Sequence, residues 1–228
     1  MDPGALLRSR FPNALGGVLA GSTARGEATA SSDLDLVVLL PGPPAPMRRT
    51  KRVDGQLVEF FVHTEASFHA FVERERAQRR SPLLHMVAHG RIVGDRDGLA
   101  TRVQEAARAL WNAGPAVLTH AEAEDRRYRL TALLDDLADE NDPAARAAIA
   151  AAVLVDIADL ALAARGHWTG TGRWLMRRLR EVDSALSRRL VDGLRTALDG
   201  EATALVRCGL DELGRVGGPL DDGYERHA

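Results

Sequence analysis

The pattern of apolar residues changes abruptly at the middle of the chain, and this change constrains the fold more than any other feature. Before Asn112, short apolar runs alternate with Gly and Pro, as in strands joined by turns. After Pro115, Ala, Leu and Arg recur at the spacing of amphipathic helices. We therefore predict an α+β protein in which residues 1–114 form a small mixed β-sheet with flanking helices and residues 115–228 form an all-α helical bundle.

The first half contains apolar runs with the length and boundaries of strands. Strands are predicted over Val18–Ala20, Leu34–Leu40, Thr50–Val53, Gln56–His63 and Arg91–Val93. The third and fourth of these flank Asp54-Gly55, a dipeptide that favours the tight turn of a β-hairpin because both central residues need positive φ.

Helical segments follow the hairpin and fill the second half. Helices are predicted from Thr64 to about Arg80 and over Leu99–Trp111, Glu122–Glu140, Ala144–Ala164, Arg173–Arg180 and Asp183–Leu198. The segment Asn112–Pro115 breaks the helical pattern and is predicted to be the linker between the two halves. The Gly-rich end of the chain, Gly214–Gly223, is expected to be loose.

Composition excludes several classes of protein. Of 228 residues, 45% are hydrophobic and 27% charged, as in soluble globular domains. The net charge of -2 supplies no general attraction for nucleic acid, so a nucleic-acid partner is not favoured. The single cysteine, Cys208, forms no intrachain disulfide, and no run reaches the ~18 apolar residues of a membrane span. We therefore expect a cytoplasmic protein with no membrane partner.

Two aspartates and a glycine-serine pair suggest the chemistry. Asp33 and Asp35 precede an apolar run, so both point to one face of a strand, about 6.5–7 Å apart. Such carboxylates repel each other unless a cation lies between them, and hard oxygen ligands suit magnesium. Upstream, Gly21-Ser22 follows another apolar run; glycine lets backbone N–H groups approach a phosphate, and the serine hydroxyl adds a donor. Alternatively, the aspartates only begin a strand from solvent and the glycine only makes a turn, but together they favour a polyphosphate site.

The order Gly-Ser, then Asp-x-Asp on a strand, resembles the signature of nucleotidyltransferases of the DNA polymerase β superfamily. The residues at the family's positions are Gly21, Ser22, Arg25, Gly26, Ser32, Asp33 and Asp35. The resemblance implies that the first domain is a nucleotidyltransferase catalytic domain. It also implies a nucleotide-binding role for Gly21, Ser22, Arg25 and Ser32.

The family's third carboxylate comes from a later strand, and Glu59 in Val58-Glu59-Phe60 fits that position. The alternative is an exposed glutamate on an edge strand. The resemblance implies that Asp33, Asp35 and Glu59 are the catalytic residues and the ligands of two Mg²⁺ ions, with ATP or another nucleoside triphosphate as co-substrate. Glu59 would act as metal ligand, general base or both.

The second domain resembles the helical domain of aminoglycoside-type nucleotidyltransferases, through Gly166-His167-Trp168 and the segment 170–175. That resemblance implies that Arg173 reaches the triphosphate. The alternative is a solvated arginine-rich helix face.

The resemblance implies transfer of a nucleoside monophosphate, AMP from ATP, to a hydroxyl group of a small-molecule acceptor. An aminoglycoside-like antibiotic would be such an acceptor, and its modification would give antibiotic resistance. Two alternatives stay open: an antitoxin-type nucleotidyltransferase that modifies a protein or an RNA end, and a non-catalytic nucleotide-binding partner module. A homodimer is compatible with the sequence.

Overall fold

The chain divides into two compact units, Met1–Gly114 and Pro115–Ala228. In the computed structural model, residues 1–24, 26 and 32–226 are described. The first unit is a mixed β-sheet with flanking helices and the second contains helices, so the predicted α+β class is confirmed.

The first unit is built around a five-stranded sheet. Its elements are α1 (Pro3–Arg10), β1 (Gly16–Ala20), α2 (Gly21–Ala24), β2 (Leu34–Leu39), β3 (Met47–Val53), β4 (Gln56–His63), α3 (Glu65–Ala77), α4 (Pro82–His89), β5 (Arg91–Asp95) and α5 (Leu99–Ala113). The strand order is β3-β4-β2-β1-β5, in which β2 and β4 are parallel and the other neighbours are antiparallel. Strand β3 is therefore at one edge.

Helices cover both faces of this sheet. A Cβ added at Gly17 would meet Leu7 of α1, whereas one added at Gly16 would meet Ala100 of α5. Since neighbouring strand residues point to opposite faces, α1 and α5 pack on opposite sides. The α1 side holds an apolar cluster in which Phe11 meets Phe60 edge to face, at a ring separation of 5.3 Å.

Helix α3 ends earlier than the sequence predicted, and α4 is a separate helix. Thr64 begins α3 with a capping box shared with Ser67. Arg79 then takes a φ of 57°, which is incompatible with a continuing helix, and Pro82 begins α4. The buried carboxylate of Glu75 accepts hydrogen bonds from the first amides of α4 and so fixes the join.

The second unit contains α6 (His120–Asp139), α7 (Pro143–Ala164), α8 (Arg173–Val182), α9 (Ser184–Leu198) and α10 (Thr203–Gly214). Helix α7 contacts each of the other four. By length and composition α7 could cross a membrane, but its residues from Ala150 to Ala163 include nine buried positions that supply the core of this unit. It is the central helix that the sequence predicted.

Helix α10 and the tail behind it differ from the sequence prediction. Gly209 and Gly214 lower the helix propensity of α10, and buried packing offsets this effect. The tail, expected to be loose, lies along α6. Arg127 donates to the carbonyls of Gly217 and Gly218, and the ring of Tyr224 stacks on Tyr128 at 4.1 Å.

Candidate active site

One row of residues crosses four strands of the sheet in the first unit. Ala20 on β1 pairs with Asp35 on β2, Asp35 pairs with Glu59 on β4, and Glu59 pairs with Thr50 on β3. Residues that are paired directly across strands point to the same face. The row therefore brings two of the predicted acids together, with the glycine-serine turn at one end and β3 at the other.

Three carboxylates converge on this row. Single ligand oxygens of Asp33, Asp35 and Glu59 lie within 4.8 Å of one another, and all three residues are half-buried. Asp33 stands one residue before β2, not on the strand as expected, yet its carboxylate still reaches the group. This convergence is what the sequence predicted.

A divalent cation fits this group of oxygens. Ligands around one Mg²⁺ at 2.0–2.1 Å can be at most about 4.2 Å apart, so the carboxylates need only a small inward movement. Three clustered anions also repel one another, and a cation between them removes that cost. The donor set contains hard oxygens only, which suits Mg²⁺ or Mn²⁺.

The side chain of Glu59 is held from the strand beside it. Arg48 Nη2 donates to Glu59 Oε2 at 2.7 Å, and Thr50 Oγ1 donates to Glu59 Oε1 at 3.5 Å. The guanidinium of Arg48 also lies over the ring of Phe61, 4.9 Å from its centre. Strand β4 lies between β3 and β2, so the alternative of an edge-strand glutamate is wrong.

Gly21 lies directly against Asp35. Its φ is +69°, and a Cβ added there would lie 3.2 Å from Asp35 Cγ and overlap Oδ2. A side chain at this position would therefore be strained and would displace a carboxylate of the group. The turn thus keeps backbone next to the acids, as a site for a polyphosphate requires.

The remaining predicted nucleotide-binding residues are placed as follows. Ser22 is in α2, and the neighbouring Thr23 Oγ1 donates to the carbonyl of Asp33 at 3.3 Å, which links the turn to the acids. Ser32 is half-buried and directly precedes Asp33. Arg25 lies outside the described residues. Arg173 is the exposed first residue of α8, in the second unit, and its role stays a prediction.

Sequence reasoning missed Arg48 and Thr50, the two residues that hold Glu59. A signal for Thr50 was present in the hairpin. A two-residue turn at Asp54-Gly55 makes Val53 pair with Gln56, and counting back along both strands places Thr50 opposite Glu59.

His63 ends the strand that carries Glu59. Burial lowers the pKa of this imidazole, against the opposing hydrogen bond with Ser67. Burial thus favours the neutral form of the His63 imidazole over the protonated form.

A comparison with protein-family models agrees with this geometry. Residues 7–81, about a third of the chain, match the family model of a nucleotidyltransferase domain. No curated protein matches the chain. Ten chains of solved structures match it, among them a nucleotidyltransferase-like protein from Exiguobacterium sibiricum 255-15. That protein is 15% identical, with a TM-score of 0.43 over 93% of this chain and 76% of the other.

Proposed function

We propose that this chain, whose residues 7–81 match the family model of a nucleotidyltransferase domain, transfers AMP from ATP to a hydroxyl group of a small-molecule acceptor in the manner of the DNA polymerase β superfamily. The convergence of Asp33, Asp35 and Glu59 beside the Gly21 turn is the observation that carries the proposal. The acceptor oxygen forms a bond to the α-phosphorus of the triphosphate. The bond from that phosphorus to the bridging oxygen breaks, and pyrophosphate leaves.

Each group of the site has a task in this reaction. The Gly21-Ser22 turn binds the triphosphate through backbone N–H groups and the serine hydroxyl. Asp33 and Asp35 would hold Mg²⁺ next to it, and Glu59 would complete the ligands of a second ion. Bound Mg²⁺ ions would neutralise charge on the phosphate oxygens. Glu59 accepts the proton of the acceptor hydroxyl, because its carboxylate lies at the end of the group away from the turn.

The other predicted residues support the nucleotide. Ser32 and Arg25 are assigned to the triphosphate by their positions in the family signature. Arg173 is assigned to the phosphates from the helical domain, since a guanidinium makes paired hydrogen bonds to a phosphate. We place the protein in the cytoplasm, where Cys208 stays reduced.

Substitution of single carboxylates tests the proposal. Asp33→Asn, Asp35→Asn and Glu59→Gln each remove a ligand charge with almost no change of shape. The loss of several kcal/mol of transition-state stabilisation predicts a fall of about 1,000-fold or more in turnover. The fold should be retained, because removing one of several like charges relieves repulsion. Glu59→Gln also weakens the ion pair with Arg48, but that arginine is exposed, and such pairs add little stability. Glu73→Gln is the matched control, since this acid of the same unit is exposed on α3.

The assay combines binding with turnover. Calorimetry measures ATP binding in the presence of Mg²⁺, and pyrophosphate release is followed across a panel of hydroxylated acceptors that includes an aminoglycoside. Equal activity of Asp35→Asn and Glu73→Gln would refute the assignment of the site. ATP binding with no pyrophosphate release in any mixture would favour the nucleotide-binding module instead.

A further inference from the structure

The strand order separates two sides of the row that holds the carboxylates. Across the sheet, the turn at the end of β1 comes first, then Asp35 on β2, Glu59 on β4 and Thr50 on β3. If the triphosphate binds at the turn, as the proposed function requires, the acceptor must enter from the opposite side. The face of β3 that carries Thr50 therefore lines the acceptor side.

This face of β3 is positively charged. Arg48 and Arg52 stand two residues on either side of Thr50, so all three side chains share the face of Glu59. Contacts of Arg48 and Thr50 with Glu59 confirm that orientation. Arg48 uses one nitrogen for Glu59 and its side chain is 63% exposed. Arg52 is exposed and donates from Nη1 to the carbonyl of Gly55 at 3.1 Å. Both guanidinium groups therefore retain N–H donors that can reach a ligand.

We propose that the acceptor is a small molecule that carries a phosphate group near its reacting hydroxyl, and that Arg52, together with Arg48, binds this phosphate. A guanidinium is suited to oxyanions because its planar N–H groups make paired, charge-assisted hydrogen bonds. A phosphate seated over Thr50 holds the attached hydroxyl beside Glu59, which takes its proton. The bonds formed and broken at the α-phosphorus are those of the proposed reaction.

The charges favour this acceptor over two others. A cationic acceptor such as an aminoglycoside would meet the guanidinium groups of Arg48 and Arg52 on entry, and like charges repel. A polynucleotide would need a broad basic surface, whereas the whole chain has a net charge of -2. A compact phosphorylated alcohol needs only the local positive charge that β3 offers.

Strand β3 also carries basic residues on its other face. Comparison of the two faces tests a simpler explanation, that the basic residues of β3 only protect the edge of the sheet. Arg49 and Lys51 are exposed there, and charged residues on an edge strand prevent pairing with other chains. If the basic residues of β3 only protected the edge, substitution of any one of them would have the same effect on ligand binding. In our proposal, only those facing Glu59 affect the ligand.

The test compares Arg52→Gln with Lys51→Gln, two substitutions that remove the same charge from neighbouring positions of one strand. Full-length protein is saturated with Mg²⁺ and a non-hydrolysable ATP analogue, which occupies the triphosphate position. Binding of inorganic phosphate is then measured by ³¹P NMR. We expect the wild type to bind phosphate, Arg52→Gln to raise its Kd by about tenfold, and Lys51→Gln to leave it unchanged.

Each outcome decides between the proposals. Failure of the wild type to bind the ATP analogue contradicts the proposed function itself. If the wild type binds the ATP analogue but not inorganic phosphate, or if the two substitutions change the Kd for phosphate equally, only the inference about the acceptor is overturned.

A second experiment compares pyrophosphate release with glycerol, glycerol 3-phosphate, ribose 5-phosphate, kanamycin and a short RNA as acceptors. Faster release with either phosphate ester than with glycerol supports the inference, and faster release with kanamycin or RNA than with both esters overturns it.

Discussion

Gly21→Ala tests two roles of the glycine turn, its positive φ and its contact with the carboxylate of Asp35. The first role affects stability and the second affects turnover. The φ of +69° costs an alanine about 1–2 kcal/mol. The new methyl group would also overlap Asp35 Oδ2, and relief of that overlap requires the carboxylate to move by about 1 Å. Misplacement of a reacting group by that distance can lower a rate by about 100-fold. We therefore expect a modest loss of stability and a large loss of turnover.

Gly98→Ala is the matched control, because Gly98 has the same φ of +69° while an added Cβ would meet only the end of the Arg102 side chain at 3.5 Å. Thermal unfolding should show a similar decrease of several degrees for both variants. Pyrophosphate release should fall by about 100-fold in Gly21→Ala alone. If Gly21→Ala retained the activity of Gly98→Ala, the contact between the turn and Asp35 would have no part in catalysis.

Two further predictions concern the second unit. Burial raises the pKa of Asp156 despite the ion pair with Arg129. Ionisation of this carboxyl therefore costs more free energy in the folded than in the unfolded protein, and the wild type loses that stability as the pH rises. The stability of Asp156→Asn relative to wild type, measured by urea unfolding, should accordingly increase from about pH 3 to pH 7. A stability difference between Asp156→Asn and wild type that decreases as the pH rises would contradict this prediction. Gly193→Ala should lower the free energy of unfolding by about 1–3 kcal/mol, because its Cβ would lie 3.0 Å from the backbone nitrogen of Leu205. Gly214→Ala, where the added Cβ meets open space, should not lower it; equal effects of the two would refute the packing argument.

The elements with strong local signals could be predicted from the sequence. The Asp54-Gly55 dipeptide indicated the hairpin, and the structure has a two-residue turn there with Val53 paired to Gln56. The stripe of leucines from Leu130 to Leu137 indicated α6. The acids Asp33 and Asp35 were identified as a pair because two charges beside an apolar run need a physical reason.

What could not be predicted depends on tertiary contacts. The break at Arg79 is held by Glu75, whose carboxylate binds the next helix, and no local pattern announces such a contact. The bound tail likewise depends on Arg127, about ninety residues away in sequence. For the site, the sequence indicated which residues are acids but not that β3 would supply the partners of Glu59.

The hairpin register determines which basic residues meet the third carboxylate. Strand β4 is parallel to β2 on one side and antiparallel to β3 on the other, so Glu59 belongs both to the group of acids and to the hairpin. A shift of β3 by one residue would turn Arg49 and Lys51 towards Glu59 and Arg48 and Arg52 away from it. The turn at Asp54-Gly55, four residues from Glu59, prevents that shift by fixing the pairing. The residues proposed to hold the nucleotide thus follow a family signature. The residues proposed to meet the acceptor instead lie on a strand with no motif, in the register that the turn at Asp54-Gly55 sets.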